Sequence, residues 1–147
     1  MGVSPVVISG EIELPVAPER LRAVLADPVL LARLLGASPL TAIAPGRWRG
    51  SVALGTPPLT KRHPILVQVR AALGGGGGLE LDVVEEGTSS GFSLAAHCAL
   101  AAMPPDRTRL RYDVDARLGG LARWIGGSAA RRFVDDFFAA LVAYLSE

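Results

Sequence analysis

The C-terminal part of the chain contains one long amphipathic segment, and this segment restricts the fold more than any other feature. Apolar residues recur every four positions from Leu121 to Leu145, and Ala130, Val134 and Phe138 widen the stripe. This spacing predicts a helix with one apolar face. We expect Gly119-Gly120 to open the helix, which then runs to the C-terminus. A face of this length must be buried against another layer of the protein.

The preceding segments supply that layer, because their apolar residues occupy every second position. In the clearest case, Leu110, Tyr112 and Val114 alternate with arginine and aspartate. A period of two predicts strands with one buried and one polar face, which is typical of antiparallel sheets. Similar alternation is found at residues 6–14, 48–54, 65–73, 79–83 and 92–100, and a weaker strand is predicted at 39–44.

Two short helices are predicted between the first strand and the rest. Pro18 suits the first position of a helix, and Asp27-Pro28 starts a second helix that Gly36 ends. The fold class is therefore α+β. A curved antiparallel sheet of six to seven strands wraps around the C-terminal helix, and residues 1–147 form a single domain.

The composition argues against several classes of function. The 147 residues carry a net charge of +1, whereas nucleic-acid-binding domains show a basic excess. One cysteine excludes an internal disulfide framework, and with two histidines it argues against a zinc site. We therefore expect no metal and no other cofactor. We see neither a signal peptide nor a membrane span, so a cytoplasmic location is expected.

Local motifs resemble the START-like (SRPBCC, helix-grip) superfamily and, within it, the family of small accessory proteins of carbon monoxide dehydrogenase. The motifs are Gly10-Glu11-Ile12-Glu13-Leu14-Pro15, Leu25-Ala26-Asp27-Pro28, Gly46-Arg47-Trp48-Arg49-Gly50 and the run from Gly126 to Phe138. Leu34-Leu35-Gly36-Ala37 replaces the family's Pro-Gly-Cys turn, so no role of that cysteine is carried over. The resemblance implies an accessory protein for the maturation or membrane association of a molybdenum hydroxylase-type enzyme, with quinone- or lipid-like ligands.

The inward faces predict an apolar cavity between sheet and helix that binds a small apolar molecule. Its predicted lining is Trp48, Val52, Val67, Val69, Leu81, Phe92, Leu94, Tyr112, Ile125, Ala129 and Phe133. The small residues of Gly126–Ala130 leave room for a ligand, or alternatively allow close helix–sheet packing or mark a helix that starts only after Gly127. Trp48 and Tyr112 could each bond a ligand oxygen or simply pack in the core.

No inward position is predicted to hold a histidine or a carboxylate, which argues against general acid–base catalysis. His97 and Cys98 are neighbours in one strand, so they point to opposite faces and cannot form a catalytic pair. The sequence thus favours a buried apolar role for Cys98 and a solvated His97. It favours a non-enzymatic carrier, with a polyketide cyclase-type enzyme or an interaction module as alternatives.

Basic residues flank a predicted proline-rich loop from Gly55 to Pro64. Arg47, Arg49, Lys61 and Arg62, with His63 and the apolar Pro57, Pro58 and Leu59, could contact anionic headgroups on the inner membrane surface. The alternative is a solvated charge cluster. The glycine run Gly74–Gly78 lacks the Lys-Ser/Thr and helix of a phosphate loop, so a hairpin turn is predicted there.

Overall fold

In the computed structural model, seven antiparallel strands form one sheet in the order β1-β7-β6-β5-β4-β3-β2. The structure describes residues 6–54, 60–71, 78–87, 91–119 and 126–147, and side chains in the last range from Ala130 onward. The strands are β1 (Val6–Leu14), β2 (Thr41–Ala44), β3 (Arg47–Leu54), β4 (Lys61–Ala71), β5 (Leu79–Glu85), β6 (Ser93–Met103) and β7 (Arg107–Arg117).

Helices α1 (Pro18–Leu25) and α2 (Pro28–Leu35) follow β1, and local sequence signals fix their ends. The Asp27 carboxylate accepts hydrogen bonds from the backbone N–H groups of Val29 at 2.9 Å and Leu30 at 3.4 Å. This bonding satisfies donors that would be unpaired at the start of α2. Gly36 ends α2 in the left-handed conformation, with φ of 66°. Both short helices are confirmed.

Helix α3 (Gly126–Leu145) packs on one face of the sheet. Val134, Phe137, Phe138 and Leu141 are buried, as are the alternating residues of β7 from Thr108 to Ala116. The predicted α+β architecture, a curved antiparallel sheet around a C-terminal helix with two short helices after the first strand, is confirmed. The predicted start of the helix at Gly119-Gly120 and the turn at Gly74–Gly78 fall largely outside the described residues.

The predicted loop from Gly55 to Pro64 is wrong in its second half. Lys61 pairs with Leu54 and His63 pairs with Val52, so β4 begins at Lys61. Pairing with β3 determines the conformation of this segment, whereas the prediction relied on its proline content. Residues 55–59 lie outside the described ranges.

Candidate functional site

An apolar cavity lies between α3 and the middle of the sheet. Its floor is a row of cross-strand neighbours, because Val69 pairs with Leu81, Leu81 with Ala96, and Ala96 with Val114. Side chains directly opposite each other in neighbouring strands point to the same face. One residue from each of β4 to β7 therefore contributes to the same surface.

The walls of the cavity come from all three helices and from further inward positions of the same strands. The full lining is Leu25, Leu35, Val69, Leu79, Leu81, Val83, Leu94, Ala96, Cys98, Val114, Phe133, Val134, Phe137 and Phe138. No carboxylate, amine, guanidinium or imidazole belongs to this described lining. Burial without a partner is costly for a charged group, so the cavity suits an apolar occupant.

The cavity measures about 40 Å³. A site for one water molecule needs roughly 10–15 Å³ on the same scale, so about three waters would fill it. Pockets that hold drug-sized ligands measure roughly 300–1,000 Å³. A larger molecule would therefore have to displace the aromatic side chains of α3, among them Phe133 and Phe137, away from the sheet.

The predicted lining residues divide into three groups. Val69, Leu81, Leu94 and Phe133 line the cavity. A second group is buried in the surrounding core but does not line it, namely Trp48, Val52, Val67, Phe92 and Tyr112. Ile125 and the side chain of Ala129 fall outside the described part of the chain. The ligand-binding role of all these residues stays a prediction.

Several lining residues were missed although the sequence carried their signal. Leu79 and Val83 share the strand face of Leu81, and Ala96 and Cys98 share the face of Leu94. The same two-residue period that selected Leu81 and Leu94 selects these positions. Leu25 and Leu35 could not be found in this way, because they reach the cavity from helices α1 and α2.

Cys98 is the only cysteine of the chain and lies in the cavity wall. Burial raises the pKa of the Cys98 thiol to about 11, with a smaller contribution from the negative charge of Asp113. The thiolate is the nucleophilic form of cysteine, so this environment keeps the side chain unreactive. His97, its neighbour in β6, points to the opposite face, where its side chain is 62% exposed and lies 3.3 Å from Glu80.

The inner face also holds a histidine–carboxylate pair, which corrects the expectation of inward faces without such groups. His63 shares its face of β4 with buried Ile65, and Glu85 shares its face of β5 with buried Val83. The His63 Nδ1 atom lies 2.7 Å from Glu85 Oε2, and the two side chains are only 11% and 14% exposed. His63 is therefore not part of a solvated basic cluster. The prediction failed because the segment was assigned to a loop.

The other predicted membrane-contact residues are at the surface. Arg47, Arg49 and Arg62 lie on the outward face, and Lys61 is exposed at the start of β4. Two of them already have partners, since Arg49 forms a 2.7 Å ion pair with Glu86 and Arg62 donates a 2.9 Å hydrogen bond to Ser51 Oγ. Their contact with a membrane stays a prediction.

Within the described residues, no three His, Cys, Asp or Glu side chains are grouped so that they could hold a metal ion. No described helix is long and apolar enough to cross a membrane.

Comparison with known proteins places the chain by its fold. The sequence matches no protein-family model and no curated protein. Among solved structures, a conserved protein from Geobacillus kaustophilus is similar with a TM-score of 0.77 and 22% identity, over 94% of this chain and 93% of that one. A START superfamily protein from Mycobacterium smegmatis gives a TM-score of 0.70 at 12% identity, over 95% and 97%.

A STAR-related lipid transfer protein from Xanthomonas axonopodis is also similar, with a TM-score of 0.65 and 15% identity over 96% of this chain and 86% of that one. At these identities the likeness concerns the arrangement of the backbone. The chain has the helix-grip fold of START-like proteins.

Proposed function

We propose that the protein is a non-enzymatic binding or carrier protein for a small apolar molecule. The observation that carries this proposal is the cavity between sheet and α3, whose described lining contains no charged group. Transfer of apolar surface from water into such a cavity is favourable by about 25 cal/mol per Å². The similarity to a START superfamily protein and to a lipid transfer protein supports the same class of ligand.

Loading requires the cavity to expand beyond its 40 Å³. The side chains that would move are those of α3, where Phe133, Phe137 and Phe138 form one wall. These aromatic rings contact each other and the sheet without hydrogen bonds in the cavity, so their displacement breaks only apolar contacts. An apolar ligand replaces those contacts with its own.

The absence of catalytic chemistry forms part of the proposal. The only nucleophile in the described cavity lining is Cys98, which stays protonated at neutral pH. A polyketide cyclase-type enzyme would need a proton donor or acceptor within reach of the substrate. The nearest inward candidates are His63 and Glu85, which do not line the cavity.

The narrower proposal is an accessory role for a molybdenum hydroxylase-type enzyme such as carbon monoxide dehydrogenase, with a quinone- or lipid-like ligand and transient contact with the inner membrane surface. Its support is the set of sequence motifs from Gly10 to Phe138 and the exposed residues Arg47 and Lys61. Copurification of the chain with such an enzyme from cells that express both would test it. Failure to copurify in the presence of membranes would contradict it.

The carrier proposal can be tested with a matched pair of substitutions in β6. Ala96 lines the cavity, whereas its neighbour Ala95 points to the outer face. We expect Ala96→Leu to fill the cavity and lower the affinity for the fluorescent probe N-phenyl-1-naphthylamine at least tenfold. Ala95→Leu should leave the affinity unchanged. Thermal unfolding of both variants verifies that they fold, and equal loss in both would refute the proposed site.

A further inference from the structure

The His63–Glu85 pair has a geometry that fixes one ring nitrogen and frees the other. The Nδ1 atom of His63 lies 2.7 Å from Glu85 Oε2, and Glu85 Oε1 accepts a 3.3 Å hydrogen bond from the backbone N–H of Phe92. A carboxylate only accepts hydrogen bonds, so the imidazole proton belongs on Nδ1. The Nε2 atom is then an acceptor with no partner among the described residues.

The imidazole is also held in place on its flat sides. The Phe92 ring meets it edge to face, with centroids 6.1 Å apart and planes at 77°. Val52 is the cross-strand neighbour of His63 in β3 and is 2% exposed. Packing and the carboxylate together determine the direction in which Nε2 points, which is the arrangement that binding sites require of a polar group.

Stability does not account for the pair. Desolvation of two ionisable groups offsets most of their attraction, and an apolar pair of similar volume is often as stable or more stable. The neighbouring inward positions in both strands hold apolar residues, namely Ile65 in β4 and Val83 in β5. A function of the exposed Nε2 acceptor explains why this position differs from them.

The pair lies on the same concave face as the cavity and close to it. Glu85 is two residues beyond Val83 in β5, and Val83 lines the cavity. Two residues of a strand span about 7 Å. A molecule whose apolar body occupies the cavity can therefore reach His63 with one end.

We propose that His63 holds the hydroxyl group of an apolar alcohol or phenol whose hydrocarbon part fills the cavity. The hydroxyl donates its proton to Nε2, while Glu85 keeps the other proton on Nδ1. A carboxylate head group would be disfavoured, because it would face the negative charge of Glu85 across the ring. This inference rests on the carrier function proposed above and specifies its ligand class.

The test compares 1-dodecanol with its methyl ether, 1-methoxydodecane, as competitors of N-phenyl-1-naphthylamine. The two compounds share a chain, but only the alcohol can donate a hydrogen bond. We expect the wild-type protein to bind the alcohol about tenfold more tightly, as one added hydrogen bond allows. His63→Phe combined with Glu85→Leu should abolish the preference while ether binding persists. His97→Phe, the same change on the opposite face, should preserve it.

The outcomes separate this inference from the carrier proposal. If the wild-type protein binds alcohol and ether equally, the inference is wrong and the carrier proposal stands. If neither compound binds, both are wrong. If the double variant does not fold, the ¹⁵N shift of His63 Nε2 in the wild-type protein decides. It should move on addition of dodecanol and not of the ether, and an unchanged shift with bound dodecanol overturns the inference.

Discussion

The Tyr112 ring is stacked on the Phe138 ring, with centroids 3.9 Å apart and planes 13° from parallel. Tyr112 pairs across the sheet with Gly10, and the phenol end of its ring covers that glycine. The stack therefore connects β1, β7 and α3 at one point. Burial raises the pKa of the Tyr112 hydroxyl, and the negative charge of Asp135 adds to the effect. Tyr112 thus fastens the helix to the sheet and does not line the cavity.

Gly10→Ala should destabilise the protein by about 1–3 kcal/mol, because the new methyl group overpacks this site. A Cβ atom at position 10 would lie 2.4 Å from Tyr112 Oη and 2.5 Å from Cζ, and Phe138 blocks the ring from moving away. Urea unfolding measures the change. Val7→Ala, on an exposed position of the same strand, should change stability by less than about 0.5 kcal/mol. Equal stability of wild type and Gly10→Ala would show that the ring is free to shift.

Cys98 provides a chemical reporter of the cavity. With a pKa of about 11, the thiol is almost entirely protonated at mildly alkaline pH, and it is only 6% exposed. We expect 5,5′-dithiobis(2-nitrobenzoate) to label the folded protein at least about a hundredfold more slowly than the urea-unfolded chain. N-phenyl-1-naphthylamine should slow the labelling further. Labelling as fast as in urea would mean that the cavity wall is open.

The ends of the elements could be predicted wherever a local residue decides them. Asp27-Pro28 and Gly36 bound α2 because capping and the left-handed conformation are properties of those residues alone. The strands followed from alternation for the same reason. Lys61–Pro64 failed because its conformation depends on pairing with β3, a contact between separate parts of the sheet.

The cavity could be predicted only in part, because alternation gives the face of a residue and not its place in the sheet. Trp48 and Val52 point inward as predicted, but β3 lies next to the edge strand β2. The cavity spans β4 to β7, so neither residue lines it. The strand order arises from long-range pairing, and the sequence of a single strand carries no record of it.

Stability should fall at alkaline pH because of Cys98. In the unfolded chain the thiol loses its proton near its ordinary pKa of 9.0, whereas the folded protein retains it up to about 11. Above pH 9.0 the unfolded state therefore binds fewer protons, and stability decreases by roughly 2–3 kcal/mol as the pH rises towards 11. The contribution is fully present below pH 9.0. Tyr112, whose pKa is also raised, adds to the loss above pH 10.0.

Cys98→Ala isolates the contribution of the thiol. We expect the variant to be less stable than wild type at neutral pH, because the substitution removes a buried sulfur atom. Its stability should decline less between pH 9.0 and pH 10.0, the range in which only the thiol titrates with a raised pKa. Urea unfolding as a function of pH measures both curves. Parallel curves would show that the thiol is not shielded from water in the folded protein.

Binding to anionic membranes should be weak and sensitive to salt. Of the four predicted contact residues, Arg49 is paired with Glu86 and Arg62 donates to Ser51. Each free Lys or Arg near an anionic surface contributes about 1 kcal/mol, and salt screens this attraction. We expect cosedimentation with phosphatidylserine-containing vesicles at low salt and its loss at high salt.

The matched variants for this experiment each remove three positive charges from one place. Arg47→Ser, Arg49→Ser and Arg62→Ser together remove the predicted contact on β3 and β4, and we expect them to abolish binding. Arg107→Ser, Arg109→Ser and Arg111→Ser change the net charge equally on β7, where Glu11 and Glu13 already pair with these arginines. This second variant should bind as the wild-type protein does. An equal loss in both variants would assign the binding to net charge, and no binding at low salt would exclude the membrane contact.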